Sequence, residues 1–256
     1  SYRRIPVKIK WNKANKAAEK SGRFLLNLLY PRRCPVCDDV IPMGRGLICP
    51  QCLARVRMVK EPVCLRCGKE IAPQEAEYCY DCSRHERSFV RGYAMAVYDR
   101  TMRESLSRFK NGGRMDYADW YAQALWEKFG AELKAARADC LVPVPVHRSR
   151  LGRRGYNQAE LVARRLGKKL ELPVLSRALV RGRNTRAQKL LGRGERGRNL
   201  EGAFRAGRQT VAGMGVILLD DIYTTGATAQ ACTRSLLAAG AREVRLVCIC
   251  IGENDE

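Results

Sequence analysis

Four Cys-x-x-Cys pairs at a constant spacing constrain the fold of this chain more than any other feature. Each pair begins fifteen residues after the previous one. A CxxC turn presents two thiolates to one side of a metal ion, and a second pair completes the tetrahedral set of four sulfurs that zinc prefers. Eight such cysteines therefore predict two structural zinc sites. The predicted ligands are Cys34, Cys37, Cys49, Cys52, Cys64, Cys67, Cys79 and Cys82.

The way these CxxC units combine is open at the level of sequence. Consecutive units can share one zinc, or the units can interleave, and the direct repeat favours consecutive pairing. A redox CxxC is normally single and lies at a helix start after a strand. Disulfides need an oxidising compartment, and an iron–sulfur cluster is the remaining alternative. Four further cysteines in apolar contexts are expected in the core. They are Cys140, Cys232, Cys248 and Cys250.

A second strong signal is the sequence VILLDDIYTTGAT at positions 216–228. Four consecutive apolar residues predict a strand buried on both faces, as in parallel sheets. Asp220 and Asp221 follow, then a Thr/Gly turn, then an alanine-rich helix over 229–239. Backbone N–H groups at such a helix start bind phosphate, and carboxylates accept hydrogen bonds from sugar hydroxyls. A generic phosphate loop, or an acid pair at a solvated strand end, is the alternative.

At all thirteen positions this stretch closely resembles the phosphoribosyl pyrophosphate (PRPP) motif of type I phosphoribosyltransferases. The resemblance implies that Asp220 and Asp221 are the catalytic pair that holds the ribose hydroxyls. It also implies that the following loop holds the 5′-phosphate and that Mg2+ accompanies PRPP. The residues assigned to PRPP binding in this way are Asp220, Asp221, Tyr223, Thr224, Thr225, Gly226, Ala227 and Thr228.

Two arginine-rich segments are expected to contact pyrophosphate or nucleic acid. The first lies between a predicted strand over 141–146 and a predicted helix over 157–170. The second is polar and glycine-rich, and is predicted to close over PRPP as a hood. Guanidinium groups complement charge that develops on a leaving group, whereas any single arginine there is more typical of a solvated surface. The candidates are His147, Arg148, Arg150, Arg153, Arg154, Arg186, Lys189 and Arg196.

The formal net charge of +22 favours polyanionic partners such as nucleic acid, phosphorylated substrates or an acidic membrane surface. The charge is concentrated, because residues 1–33 sum to +9 and residues 145–209 to +14. A hydrophobic fraction of 46% excludes a wholly disordered chain. No apolar run approaches the ~18–20 residues that cross a bilayer, and no signal peptide is visible. A cytoplasmic protein without stable membrane insertion is therefore expected.

From about Phe24 onward the layout resembles the ComF family of competence proteins. The resemblance is carried by the cysteine module beginning at Pro31, the sequence RGYNQ at 154–158, the segment 185–199 and the PRPP motif. It implies a zinc-ribbon module joined to a type I phosphoribosyltransferase domain, an α/β fold whose mostly parallel sheet is flanked by helices. It further implies a role in natural transformation. There the protein handles incoming single-stranded DNA, beside other DNA-uptake or recombination proteins, with PRPP as ligand.

The predicted organisation is a basic N-terminal extension at 1–33, a double zinc ribbon at 34–85 and a phosphoribosyltransferase-like domain at 86–256. The last should begin with a strand over 92–98 and helices over 101–109 and 117–136. Strands near 141–146, 216–220 and 244–251 should be parallel, with helical crossovers. Three polar residues after the first of these helices are weaker candidates for the ligand edge. They are Lys110, Asn111 and Arg114.

Three functions remain open at the level of sequence. The first is a DNA-handling protein that binds single-stranded DNA and carries a PRPP site. The second is an active phosphoribosyltransferase of nucleotide metabolism, in which the zinc module is a scaffold. The third is a regulator that senses PRPP without turning it over. Fold alone does not choose among them.

Overall fold

The computed structural model describes residues 31–71, 77–182 and 202–252. Over these residues the helices are α1 (Pro50–Arg55), α2 (Tyr80–Arg84), α3 (Arg100–Asn111), α4 (Tyr117–Ala135), α5 (Arg148–Arg154), α6 (Gln158–Leu170) and α7 (Ala227–Ala238). The strands are β1 (Gly92–Val97), β2 (Cys140–Pro143), β3 (Leu179–Arg181), β4 (Phe204–Ala206), β5 (Gly215–Tyr223) and β6 (Glu243–Ile251).

A four-stranded sheet in the order β1-β6-β5-β2 is the centre of the described chain, and every neighbouring pair in it is parallel. Successive side chains of a strand point to opposite faces. In β5, Ile217 and Leu219 accordingly pack into one hydrophobic cluster, and Val216 and Leu218 into another. The predicted parallel strands, buried on both faces, are confirmed.

Helices cover both faces of this sheet. α3, α4 and α6 pack on one face, where Leu106, Leu125 and Val162 are fully buried. α7 and the antiparallel β3–β4 pair pack on the other face, through residues that include Cys232 and Phe204. The four cysteines outside the CxxC pairs are all buried, as expected. The helices therefore cover the two faces of the sheet, and other structure attaches at its edges.

The zinc-ribbon module is attached to the outer edge of β1. Residues 57–59 run antiparallel to that strand: Met58 bridges Ala96, the Val59 N–H donates to Met95 O at 3.1 Å, and the Val97 N–H donates to Arg57 O at 2.8 Å. The two halves of the module lie on opposite sides of this edge. Cysteines of the first half join the cluster under α3 and α4, and cysteines of the second half join the cluster under α7.

A close backbone approach joins the second half of the module to the start of β1. Gly68 has φ +77°, and a Cβ there would lie 2.6 Å from the Gly92 carbonyl oxygen. Gly92 N–H in turn donates to Arg66 O at 2.7 Å. Glycine is required at position 68 both for its backbone conformation and for this contact.

Three features differ from the sequence-based expectation. The strand predicted over 141–146 ends at Pro143, because Pro143 and Pro145 have no N–H to donate to a sheet ladder. The arginine segment after it is not an open loop but the short helix α5, which begins after His147 and ends at Gly155, where φ is +79°. The β3–β4 pair was also not predicted. The domain boundaries proposed above stay predictions.

Across the parts of the chain that the structure describes, no helix is both long enough and apolar enough to cross a membrane.

Candidate functional site

Two adjacent carboxylates lie near the carboxyl end of β5. Asp220 Oδ1 accepts a hydrogen bond from the Asp221 N–H at 2.8 Å. Asp221 Oδ2 lies 2.8 Å from Lys110 Nζ, and both side chains of this ion pair are 21% exposed. Lys110 comes from the last turn of α3, more than a hundred residues away. The contact shows that Lys110, a weaker candidate from sequence, does reach the ligand edge.

The two acids are in unequal environments. Desolvation by burial and, to a smaller extent, the neighbouring charge of Asp221 raise the pKa of Asp220 to about 7, against the opposing effects of the Asp221 N–H, Lys110 and Arg181. A carboxyl group with such a pKa changes its charge near neutral pH. Perturbed titration of this kind is typical of functional clefts, although structural ion pairs also produce it.

The loop after β5 turns sharply into α7. Gly226 is the N-cap of α7 with φ +77°, and a Cβ at this position would overlap the Tyr223 hydroxyl. The Ala227 N–H approaches Thr225 Oγ1 at 3.5 Å. Residues 222–229 and Asp220 surround a hollow of about 30 Å³. This is the small-residue loop and helix start that binds phosphate in other α/β proteins.

A larger cleft of about 830 Å³ opens beside the acid pair. Among the described residues its lining carries six cationic side chains and two anionic ones, so the cleft is strongly positive. Those charged residues are Arg103, Lys110, Arg150, Arg153, Arg154, Arg181, Asp220 and Asp221. Such a balance favours a ligand with several negative charges.

Arg154 occupies the most constrained position of the α5 arginines. Burial, with the like charge of Arg150 adding to it, lowers the pKa of Arg154, while Asp221 opposes the shift. Its Nη1 donates to Gln158 Oε1 at 3.2 Å. Its Nε is buried and has no acceptor within the described ranges. A buried donor without an acceptor is costly, so this atom is suited to an anionic ligand.

Among the described residues, His147, Arg148 and Arg114 do not line the cleft. His147 caps α5, with its Nδ1 accepting from the Ser149 N–H at 3.2 Å, and Arg148 is exposed. Arg114 points away from the cleft and pairs with Asp38 of the zinc module at 2.9 Å. The remaining predicted residues lie outside the described residues; they are Arg186, Lys189 and Arg196.

Several lining residues were not predicted from sequence. Tyr98 follows β1, Arg103 lies in α3 and Arg181 ends β3. The arginines belong to segments whose polar faces are typical of solvated surfaces. Only the fold brings them to the same edge as Asp220, so no local pattern could have singled them out.

The eight CxxC cysteines form two separate groups of four. Cys34, Cys37, Cys49 and Cys52 make one group, and Cys64, Cys67, Cys79 and Cys82 make the other, with the sulfur atoms of each group within 4.8 Å of one another. Consecutive pairing is therefore confirmed and interleaved pairing is excluded.

The sulfur separations fit tetrahedral zinc. Cys34 Sγ is 3.5 Å from Cys49 Sγ, and Cys67 Sγ is 3.6 Å from Cys79 Sγ. Zn–S bonds of ~2.3 Å in a tetrahedron require sulfurs about 3.8 Å apart. Four thiolates fill the coordination sphere, so these are structural sites.

Residues 88 and 89, which follow the second zinc group along the chain, contact the elements on either side of the loop between β5 and α7. The Ser88 N–H donates to Gln230 Oε1 at 2.9 Å, and Gln230 Nε2 donates to Ser88 Oγ at 2.7 Å. The Phe89 ring packs edge-on against Tyr223 with centroids 6.2 Å apart. The residues that directly follow the zinc module thus contact both the first turn of α7 and the end of β5.

Family models match the two parts of the chain separately. A double zinc ribbon domain matches residues 25–83, and a phosphoribosyl transferase domain matches residues 151–256. Together with the fold and the cysteine groups, these matches define a protein that joins a double zinc ribbon to a phosphoribosyltransferase-type domain.

Curated relatives are similar to this chain over most of their own length. Competence protein F of Haemophilus influenzae is 28% identical over 84% of this chain and 94% of its own. DNA utilization protein YhgH of Escherichia coli is 29% identical over 87% of this chain and 98% of its own. Competence protein ComFC of Bacillus subtilis is 29% identical over 75% of this chain and 79% of its own. Over most of its length this chain is homologous to these competence and DNA utilization proteins.

A solved purine phosphoribosyltransferase from Pyrococcus horikoshii is also similar, with 15% identity, a TM-score of 0.35, and coverage of 52% of this chain and 74% of that one.

Proposed function

We propose that this protein handles single-stranded DNA in the cytoplasm and binds PRPP, as its Mg2+ complex, in the cleft beside β5. The observation that carries the proposal is the placement of three features in one cleft: the acid pair, the small-residue loop before α7 and the arginines of α5. They match the hydroxyls, the 5′-phosphate and the pyrophosphate of PRPP. The relatives named for competence and DNA utilization support the cellular role.

In this proposal each part of PRPP has its own partners. The ribose hydroxyls donate hydrogen bonds to Asp220 and Asp221, so Lys110 must give up its ion pair with Asp221 when the ligand enters. The 5′-phosphate lies at the loop 224–228 and the start of α7. The pyrophosphate lies toward Arg150 and Arg154, and Mg2+ neutralises part of its charge.

Transferase activity is the second candidate function, because the cleft extends beyond the acid pair to Tyr98, Arg103 and Ser107, which the proposed PRPP contacts do not use. In that reaction a nitrogen of the acceptor forms a bond to C1 of the ribose while the C1–O bond breaks. Pyrophosphate leaves with the electron pair, and the proton of the nitrogen passes to water. Arg154 would stabilise the leaving group through electrostatic contact.

Pyrophosphate release from Mg2+–PRPP separates these functions. It should be measured across a panel of nucleobases, with and without single-stranded DNA. Release that depends on one base identifies an ordinary transferase, and release that requires DNA identifies chemistry coupled to DNA handling. If PRPP binds but no pyrophosphate is released, PRPP acts as an effector and not as a substrate.

The α5 arginines are expected to contribute to DNA binding. Neutralising all four should lower the affinity of the protein for single-stranded DNA. It should also reduce the slope of log K against log salt, by about 0.7 for each DNA phosphate that the protein no longer neutralises. The measurement is a titration of an oligonucleotide between about 50 and 200 mM salt. The substitutions are Arg148→Gln, Arg150→Gln, Arg153→Gln and Arg154→Gln.

A matched variant controls for the loss of net charge. It removes four exposed arginines that do not line the cleft. These are Arg137→Gln, Arg164→Gln, Arg234→Gln and Arg242→Gln. If the two variants lower the salt slope equally, α5 is not the DNA surface. Exposed Tyr80, with Arg84 4.4 Å from its ring centre, then becomes the next surface to test.

PRPP affinity is expected to depend on the charge of Asp220. Its pKa of about 7 means that the carboxyl is protonated below neutral pH and ionised above it. The ionised form is the better acceptor for ribose hydroxyls, so affinity should fall as the pH is lowered through about 7. Calorimetric titration with Mg2+–PRPP from about pH 5.5 to about pH 8.5 checks this expectation.

The phosphates of PRPP also titrate, so the variant Asp220→Asn supplies the reference curve. Its pH dependence reports the ligand alone. Identical curves for the variant and the natural protein would show that Asp220 is not the titrating group.

A further inference from the structure

The sequence RGYNQ at 154–158 spans the junction of α5 and α6, and the PRPP contacts proposed above use only its arginine. Asn157 fixes the middle of this segment and is the N-cap of α6. Its Oδ1 accepts a hydrogen bond from the Ala159 N–H at 3.1 Å, and its Nδ2 donates to the Val144 carbonyl oxygen at 3.0 Å. Because Val144 directly follows β2, the segment is attached to the carboxyl end of that strand.

Tyr156 attaches the same segment to α3. Its hydroxyl donates a hydrogen bond to the Phe109 carbonyl oxygen in the last turn of α3, and the two ring centres are 6.2 Å apart. Lys110, the residue after Phe109, forms the ion pair with Asp221. The segment is therefore held by β2 on one side and by the helix end that reaches the acid pair on the other.

Gln158 is the buried polar residue of this segment, with a side chain that is only 1% exposed. Its Oε1 accepts the hydrogen bond from Arg154 Nη1 at 3.2 Å. A guanidinium group carries donors only, so the amide oxygen must face Arg154 and the amide nitrogen must face away. That nitrogen is buried and has no acceptor within the described ranges. Since such a donor is costly, stability alone does not account for a glutamine at this position.

An amide at position 158 holds Arg154 without neutralising its charge. A carboxylate would accept the same hydrogen bond, but it would also form an ion pair with the guanidinium group. Asp220 and Asp221 already line the cleft, and a further acid beside Arg154 would compete with an anionic ligand. An apolar side chain would leave the guanidinium group without its acceptor. Glutamine avoids both effects.

We propose that Gln158 is a positioning residue for the pyrophosphate of PRPP. Its amide oxygen fixes the orientation of the Arg154 guanidinium group, and its neutrality leaves the positive charge of that group to the ligand. The cost of ordering a long side chain is then met on folding and not on binding. Gln158 does not line the cleft, whereas Arg154 does, so Gln158 acts through the arginine. The inference rests on the proposed function, because Arg154 must face the pyrophosphate.

The test compares Mg2+–PRPP with ribose 5-phosphate by calorimetric titration of the full chain. Gln158→Met keeps the length of the side chain but removes the hydrogen bond to Arg154. It should lower PRPP affinity about tenfold, the loss expected for one hydrogen bond to a charged group, and leave ribose 5-phosphate affinity unchanged. Its unfolding temperature should be unchanged or raised, because the buried donor without an acceptor is also removed. A residue that only stabilised the fold would lower that temperature.

Gln158→Glu tests the neutrality of the amide. It keeps an acceptor for Arg154 but adds a negative charge, so PRPP affinity should fall here too. If this variant binds PRPP as tightly as the natural protein, a neutral side chain is not required and that part of the proposal is overturned.

A double-mutant cycle with Arg154→Gln tests whether Gln158 acts through the arginine. Arg154→Gln alone should lower PRPP affinity, and adding Gln158→Met should cause no further loss. Equal losses from Gln158→Met in both backgrounds would overturn the proposal. Gln123→Met is the matched control, because Gln123 also accepts a hydrogen bond from a cationic side chain, that of Lys169, and lies outside the cleft lining. It should leave PRPP affinity unchanged.

The outcomes also separate this inference from the proposed function. If the natural protein binds PRPP and Gln158→Met binds it equally well, the positioning role is overturned while the PRPP site stands. The same conclusion follows if Gln158→Met weakens PRPP and ribose 5-phosphate alike, since the effect is then not specific to the pyrophosphate. If neither ligand binds the natural protein, the proposed function fails and the positioning role fails with it.

Discussion

The double variant Asp220→Asn/Asp221→Asn is expected to lose PRPP binding by a factor of about 10² to 10⁴. Each carboxylate is proposed to accept a hydrogen bond from a ribose hydroxyl, and a hydrogen bond to a charged group is worth about 1.5–3 kcal/mol. The amides retain the size of the acids but lose their charge. The measurement is calorimetric titration with Mg2+–PRPP, with zinc content determined on the same samples.

Asp139→Asn is a matched control for this variant. Asp139 lies at the opposite end of the same sheet, where its Oδ2 accepts from the Gly215 N–H at 2.7 Å. It can affect stability, but it does not line the cleft. PRPP affinity should therefore be unchanged in Asp139→Asn. Unchanged affinity in the Asp220/Asp221 variant would instead remove the acids from the ribose site.

The stability of Asp220→Asn provides a second, independent readout. The folded-state pKa of Asp220, about 7, lies above the ordinary value of 3.8. A group with a raised carboxyl pKa stabilises the fold most at acid pH, and that stability is lost as the pH rises through the folded pKa. A neutral amide has no such loss. Above pH 7 the single variant should therefore unfold at a higher temperature than the natural protein, which would show that its weaker PRPP binding is not caused by misfolding.

The sequence predicted the part of the site that is continuous along the chain. The apolar run before Asp220, the acid pair and the Thr/Gly turn follow one another within thirteen residues, so the strand, loop and helix were evident together. The CxxC pairs were equally evident, because the ligand spacing reflects the coordination of the metal itself.

The side of the cleft that Tyr98 and Arg103 line was not predictable in the same way. Tyr98 and Arg103 come more than a hundred residues before Asp220, and only the strand order β1-β6-β5-β2 brings them to the same edge. In α3 the periodic signal reports the buried face, with Met102, Leu106 and Phe109. It does not distinguish a polar face that lines a cleft from one in contact with solvent.

The attachment of the zinc module was also invisible in the sequence, because it is made by the main chain. The pairing of residues 57–59 with β1 depends on N–H and C=O groups that every residue carries. Charged residues also join the module to the helices, but their partners could not be predicted from the sequence. Asp38 accepts a hydrogen bond from Tyr117 Oη at 2.6 Å and forms an ion pair with Arg114. The sequence had suggested Arg114 for the ligand edge instead. Burial and the hydrogen bond to Asp38 raise the pKa of Tyr117.

This attachment makes the zinc ions part of the stability of the whole described structure. Zinc binding to a structural site contributes ~10–16 kcal/mol in small peptides, which is as large as the total stability of a typical domain, about 5–15 kcal/mol. The second group of cysteines contacts β1 directly, because the Gly92 N–H donates to Arg66 O. The residues that follow this group reach the end of β5, where Phe89 packs against Tyr223.

The variant Cys64→Ala/Cys67→Ala is therefore expected to bind one zinc ion instead of two and to unfold at a markedly lower temperature. Its PRPP affinity should also fall, because Phe89 no longer holds Tyr223 beneath the loop. Zinc content by atomic absorption, thermal unfolding and PRPP titration measure the three effects.

Cys232→Ala controls for the loss of a buried cysteine. Cys232 is fully buried in the same hydrophobic cluster but belongs to neither group of four. This variant should keep two zinc ions and lose only the ~1–2 kcal/mol of a small cavity. Two zinc ions in Cys64→Ala/Cys67→Ala would contradict the assignment of four cysteines to each zinc ion. One zinc ion with unchanged unfolding temperature and PRPP affinity would show that the second site is independent of the sheet, against the backbone contacts between Arg66 and Gly92.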